Sequence, residues 1–237
     1  MPRRYVRKPT KKIVKVNPAK RYTKKRMRMP RRIPTNPFPK VKNCTLLYKQ
    51  PSITLTSGGV SGTILTRFRC NSLYDFDVDN NFLDKQPLYF DQLLSVTGPY
   101  KNYKVNAWKT TITVTNLTDR ALQVYFDQGT VNSITDADTS TEVQNRQGVI
   151  NKLITAQANA KPQLTFTSYR KLNSFVPKIA NQATEYTGTY AADPTNLIIS
   201  SLLLTNLDPA SITVFQAQVS VTHTFYTTVF NYDSLNS

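Results

Sequence analysis

Hydrophobic and polar residues alternate along much of this chain, and the alternation predicts strands. In "TILTRFRC" the period of two puts Ile64, Phe68 and Cys70 on one face and Leu65, Arg67 and Arg69 on the other. "YKVNAWKTTITVTN" places Trp108, Ile112 and Val114 on one face, with the threonines Thr111, Thr113 and Thr115 opposite. The last long run, "SITVFQAQVSVTHTFYTTVF", alternates through Phe215, Ala217, Val219, Val221, His223 and Phe225. "CTLLYK", "SITLTS", "RALQVYFDQ" and "PQLTFTSYR" read as further strands, and "NLIISSLLL" as a continuously apolar one. "GGVSG" and "NLTD" supply turns between neighbouring runs.

Helix signals are few. "TSTEVQNRQGVINKLITAQ" carries a capping box, Thr139 to Glu142, and places Val143, Ile150, Leu153 and Ile154 near one helical face. "LYFDQLLS" predicts one more short turn of helix. About eight strands without regular strand–helix alternation predict an all-β fold: a single eight-stranded antiparallel jelly roll, a β-sandwich. No internal repeat is visible. The longer inserts "GTVNSITDADTSTEV" and "NQATEYTGTYAADPTN" read as surface loops.

Charge changes the picture. The chain has 31 Lys and Arg against 14 Asp and Glu. Residues 1–42 hold seventeen of the basic residues and none of the acidic ones, so all of the formal +17 sits there and residues 43–237 are neutral. The same segment holds seven of the fourteen prolines and no glycine. Self-repulsion and proline oppose helix and sheet, which predicts a disordered basic arm (1–42) ahead of one folded domain (43–237). "PRRIPTNPFPK" reads as a stiff, polyproline-like hinge between them.

Such an arm is suited to phosphate. The candidate nucleic-acid contacts are Arg3, Arg4, Arg7, Lys8, Lys11, Lys12, Lys15, Lys20, Arg21, Lys24, Lys25, Arg26, Arg28, Arg31 and Arg32. Tyr22, with Tyr5 and Phe38, is placed to stack on unpaired bases. Binding would release counterions, steepening the salt dependence by roughly 0.7 in log–log slope per phosphate of a single strand. No base-reading helix is present in the arm, so low sequence specificity is expected. "TKKRMRMPRR" also fits a nuclear-import signal. In the body, Lys49, Arg67, Arg69, Lys101, Lys104, Arg170 and Lys171 form a weaker basic set, in which Arg67 and Arg69 share one strand face as phosphate candidates.

Enzyme signatures are missing, and the expectation is a protein that is not an enzyme and uses no cofactor. The single histidine, His223, lies in an apolar row and reads as a core residue. No Cys/His spacing offers zinc, and "GGVSG" leads into a strand, where a phosphate loop needs a helix N-terminus. Cys44 and Cys70 make no disulfide framework and fit free thiols in a reducing compartment. "DFDVDNN" spaces Asp75, Asp77 and Asp79 like the start of a calcium loop, with Asp84 beyond. Asn80 and Gln86 then stand where that loop needs Gly and Glu, so a solvated turn is the leading reading. No apolar run is long enough to span a bilayer, so no membrane insertion is expected. The arm lacks both the apolar core of a secretory signal and the Ser-rich amphipathic character of a transit peptide.

A basic arm ahead of a jelly roll without an active site is the layout of small icosahedral capsid proteins. "RFRCNSLYDFDVDN" followed by "QPLYFDQLLSVTGPYKNYKVNAWKTTITVTN" sharpens this, with its Asn-Ser-Leu strand end, short "QPLYFDQ" helix and strand entry Tyr100, Tyr103, Val105. It resembles the capsid proteins of circular single-stranded DNA viruses of the circovirus-like, Rep-encoding (CRESS-DNA) group. The resemblance implies a self-assembling homo-oligomeric shell of about sixty subunits, with the arm inside on a single-stranded DNA genome. It also implies use of the nuclear import machinery and a place in the virion and the host nucleus. Seventeen charges on about sixty copies is on the order of a thousand positive charges, enough to neutralise much of a small single-stranded genome. Circovirus arms are dominated by Arg, whereas this one mixes nine Lys with eight Arg. A coat protein of a small RNA virus and a cellular β-sandwich nucleic-acid-binding protein with a basic tail stay open as alternatives.

Overall fold

The computed structural model describes residues 39–58, 62–82, 85–130, 134, 142–143, 145–146, 148–158, 162–175, 184–207 and 214–231. Among them run nine strands: β1 (Val41–Thr56), β2 (Thr63–Arg69), β3 (Asn102–Asn116), β4 (Leu122–Thr130), β5 (Val149–Ile154), β6 (Gln163–Lys171), β7 (Gly188–Thr189), β8 (Ile199–Asn206) and β9 (Gln216–Phe230). One sheet has the order β1-β9-β3-β6, with the short β7 on β3; the other has the order β2-β8-β4-β5. All these pairings are antiparallel.

The pairing scheme identifies the fold. Leaving β7 aside, β1 pairs with β9, β2 with β8, β3 with β6 and β4 with β5. First meets last and the two innermost strands meet each other, as in one long hairpin rolled over on itself. That is the jelly roll the sequence predicts.

The alternations lay down the core. Ile64, Phe68, Trp108, Ile112, Val114, Ala217, Val219, Val221 and Phe225 all point between the sheets and are buried. Trp108 stacks on Phe175 at 5.4 Å between ring centroids. Truncating a buried aromatic of this size costs about 3–5 kcal/mol. "CTLLYK" and "SITLTS" form one strand, with a register shift between Gln50 and Ile53. Pro51 lies in that bulge on an edge strand, where its missing N–H breaks no ladder bond. "LYFDQLLS" contributes one helical turn, α1 (Phe90–Leu93).

The apolar run of β8 has a cause in both of its faces. Leu202 and Leu204 enter the main core, while Leu203 packs outward with Tyr125, Ile134 and Val143. The outer face of the four-stranded sheet is therefore partly covered by the chain itself.

One expected element is of a different kind. Residues 149–154, read as the end of a helix, form strand β5 and pair with Leu122–Asp127 of β4. Gly148, at φ +90°, sits just before it in the left-handed region, which favours glycine and interrupts a helix. Thr139 of the expected capping box lies outside the described residues. No helix among the described residues is long and apolar enough to cross a membrane.

Candidate nucleic-acid interface

The arm candidates, from Arg3 to Arg32 and including Tyr22, lie outside the described residues, as does Asp84. Arg67 and Arg69 are described, and the structure joins them to residues that the sequence set apart. β2 ends at Arg69, and the chain turns through Cys70–Ser72 so that "DFDVD" runs back beside it; Phe68 and Asp77 form an isolated bridge. Period two then brings alternate side chains into register. Asp79 Oδ1 accepts from Arg67 Nε at 2.9 Å and Nη2 at 2.5 Å, while its Oδ2 accepts from the Arg67 backbone N–H at 2.7 Å. Arg69 Nη1 meets Asp75 Oδ2 at 2.7 Å and donates to the Asp77 carbonyl at 3.2 Å. Asp193 Oδ2 approaches Arg69 Nε at 3.7 Å.

The phosphate candidates and the metal candidates are thus each other's partners. Both guanidinium groups already face carboxylates. Asp75 and Asp79 are engaged by arginine, and they do not converge with Asp77 on a common centre. The turn is solvated only in part: Tyr74 and Asn80 are exposed and Asp75 and Asp79 half-buried. Asp77 is buried, and its carboxylate accepts backbone N–H bonds from Asp79 at 3.1 Å and Phe82 at 2.7 Å. Burial pushes the Asp77 carboxyl up from its usual range, and those two N–H groups pull it partly back. Among the described residues no group of three His, Cys, Asp or Glu side chains is placed to hold a metal ion.

A second set of polar groups ties this clasp to the sandwich. Tyr103 Oη accepts from the backbone N–H groups of Leu73 at 3.1 Å and Tyr74 at 3.3 Å, and lies 3.2 Å from Ser72 Oγ. Ser72 Oγ in turn donates to Asp193. Asn71 bridges to the approach of β8, donating to the Asn196 carbonyl at 2.8 Å and accepting from Ile198 N–H at 2.8 Å. Burial lifts the Tyr103 phenol to about 12.

His223 is fully buried between Phe76 and Phe225, with ring centroids 4.7 and 4.3 Å away, and its Nδ1 lies 2.8 Å from Thr110 Oγ1. Burial pushes its pKa down to about 3, so the ring is neutral at physiological pH. Cys70 is a buried thiol 3.0 Å from Ser200 Oγ, lifted by burial to about 12. Neither residue has the access that a nucleophile or base requires.

The other basic residues of the body divide. Lys101 caps carbonyls of its own loop, donating to Ser95 O at 2.7 Å, and lies over the Tyr190 ring. Arg170 is half-buried. Lys49, Lys104 and Lys171 lie on the sheet of β1, β9, β3 and β6, together with Lys109. The sequence reading passed over Lys109, although an inward Trp108 one residue earlier implies that it faces out. A hollow of about 620 Å³ lies over α1 between Tyr74, Lys85, Leu88 and Asp91. Its rim carries the exposed Leu88 and Tyr89.

No protein-family model and no curated protein matches the chain. Among solved structures it is similar to Desmodium yellow mottle tymovirus, at 14% identity over 84% of this chain and 95% of that one, with a TM-score of 0.37. It is similar also to the empty head of turnip yellow mosaic virus, at 14% identity over 84% of this chain and 87% of that one, TM-score 0.37. A third is the BFDV capsid protein in its 60-mer crystal structure, at 11% identity over 81% of this chain and 96% of that one, TM-score 0.33.

Proposed function

We propose that this chain is a viral coat protein whose jelly rolls assemble into a small closed shell around a single-stranded nucleic acid. The observation that carries the reading is the partition of charge: every net positive charge lies in residues 1–42, ahead of a neutral body. Among the described residues, Cys70, His223, Asp75, Asp77 and Asp79 serve the sandwich's own packing and turns, which suits a structural role rather than a catalytic one. The exposed Leu88, Tyr89 and Val96 offer apolar area for contact between copies. The arm binds phosphates by counterion release, with Arg as bidentate and Lys as point-charge partners. The genome is single-stranded DNA, by the resemblance carried in residues 67–116, and "TKKRMRMPRR" doubles as an import signal to the host nucleus.

The test is negative-stain electron microscopy of the full-length protein, with the absorbance ratio at 260 and 280 nm on the same fractions. Uniform closed particles that absorb as nucleoprotein are expected. Dispersed small species at every salt concentration would replace the shell by a cellular nucleic-acid-binding protein. Digestion of the extracted nucleic acid separates the genome types: sensitivity to ribonuclease alone would transfer the assignment to an RNA virus coat.

A further inference from the structure

The four main strands of the larger sheet, β1, β9, β3 and β6, contain no Asp or Glu, in a chain with 14 of them. The outward face of this sheet carries Lys49, Lys104, Lys109 and Lys171, none of them in an ion pair among the described residues. The rest of that face is mainly hydroxyl and amide. Thr111 faces Thr167, Thr113 faces Thr165, and Asn106 donates to Thr228, which donates to Asn43, both at 2.7 Å. In the middle stand two exposed aromatics, Tyr169 at 52% and Tyr226 at 38%, meeting edge to face at 5.9 Å. The cross-strand register sets lysines beside both: Lys109 pairs with Tyr169, and Ala107 links Tyr226 to Lys171. A groove of about 350 Å³ opens next to Tyr226, lined by Asn43, Thr45 and Asn106.

The opposite sheet provides the contrast. Its outer arginines are paired with aspartates, and part of its outer face is covered by Ile134 and Val143. The larger sheet therefore combines three features that single-stranded nucleic acid requires: positive charge without competing carboxylates, hydrogen-bonding side chains, and aromatic rings open to stacking. Half-burial lowers the pKa of Lys104, and a neighbouring phosphate would offset that cost.

We propose that the outward face of β1-β9-β3-β6 is a second nucleic-acid contact, on which bases stack against Tyr169 and Tyr226 and phosphates meet Lys104, Lys109, Lys171 and Lys49. It rests on the packaging reading and adds a platform in the body to the arm's diffuse charge. The face recognises single strands over duplex, because stacking on the tyrosines needs unpaired bases.

The test uses the full chain and a short fluorescent oligothymidylate, titrated across a salt series. Tyr169→Ala and Tyr226→Ala should each weaken binding about fivefold or more at high salt, while Tyr169→Phe keeps most of the affinity. Replacing Lys104, Lys109 and Lys171 together by Ala should reduce the log–log salt slope by about 2. Ultraviolet cross-linking should place the oligonucleotide on peptides containing Tyr169 or Tyr226. All the variants change outward side chains, and an unchanged thermal transition checks that they fold. Native affinity and slope in every variant would overturn the platform and leave packaging to the arm. Loss of assembly with nucleic-acid affinity unchanged would overturn it too, by making the face a contact between copies. Failure of the unaltered chain to bind at all would overturn the packaging reading itself.

Discussion

His223 is where a single side chain writes itself into the stability of the whole domain. Its pKa is about 3 when buried and 6.5 when free, so unfolding takes up a proton anywhere between those values. The folded state therefore loses stability as pH falls below 6.5, with a limiting slope of about 1.4 kcal/mol per pH unit. Denaturant titrations of the unassembled protein near pH 7 and pH 5.5 should show a loss of about 1 kcal/mol that His223→Gln, measured the same way, lacks. Equal losses in both proteins would mean that the ring is hydrated. Gly188 is constrained by contact. A β-carbon there would clash with the Cζ of Tyr103, and the Tyr103 hydroxyl holds the turn after β2. Gly188→Ala should cost about 1–3 kcal/mol in thermal or chemical unfolding, with the damage centred on the β7–β3 pairing.

Elements were legible in the sequence where one face is core and the other is solvent. β2, β3 and β9 announce themselves by period two, and β8 by a run of apolar residues that Leu203 explains, being buried on the outer side as well. β5 was not legible. The spacing of Val143, Ile150, Leu153 and Ile154 fits a helical stripe, and the strand state of the last three depends on a partner, Leu122–Asp127, that no local pattern names. The clasp was hidden for the same reason. Arg67 and Asp79 are twelve residues apart, and only the geometry of the turn between them shows that opposite charges meet. That pairing predicts a coupling. Asp79→Asn should destabilise by about 1–2 kcal/mol, since it removes a charged acceptor from both the guanidinium and the backbone of β2. Adding Arg67→Gln should cost less than the two single losses combined, and strict additivity in the double-mutant cycle would show the ion pair to be without weight.

At the scale of the whole molecule, the proposed packaging role asks different things of two sets of positive charge. On that proposal the seventeen charges of residues 1–42 act by counterion release, so their contribution should scale with number and not with position. The sheet's four lysines are fixed by register around two tyrosines, so their contribution should depend on place. Replacing Lys11, Lys12, Lys15, Lys24 and Lys25 by Gln therefore has a definite signature. The salt slope should fall by up to about 3.5, and the nucleic acid held per particle should fall with it. The thermal transition should stay where it is, because the described strand pairing begins at Val41 and includes none of those residues. Moving five lysines to new positions within residues 1–42 should restore both slope and content. If restoration fails, the arm reads position as well as charge, and the division of labour between a diffuse arm and an ordered sheet collapses into one structured contact.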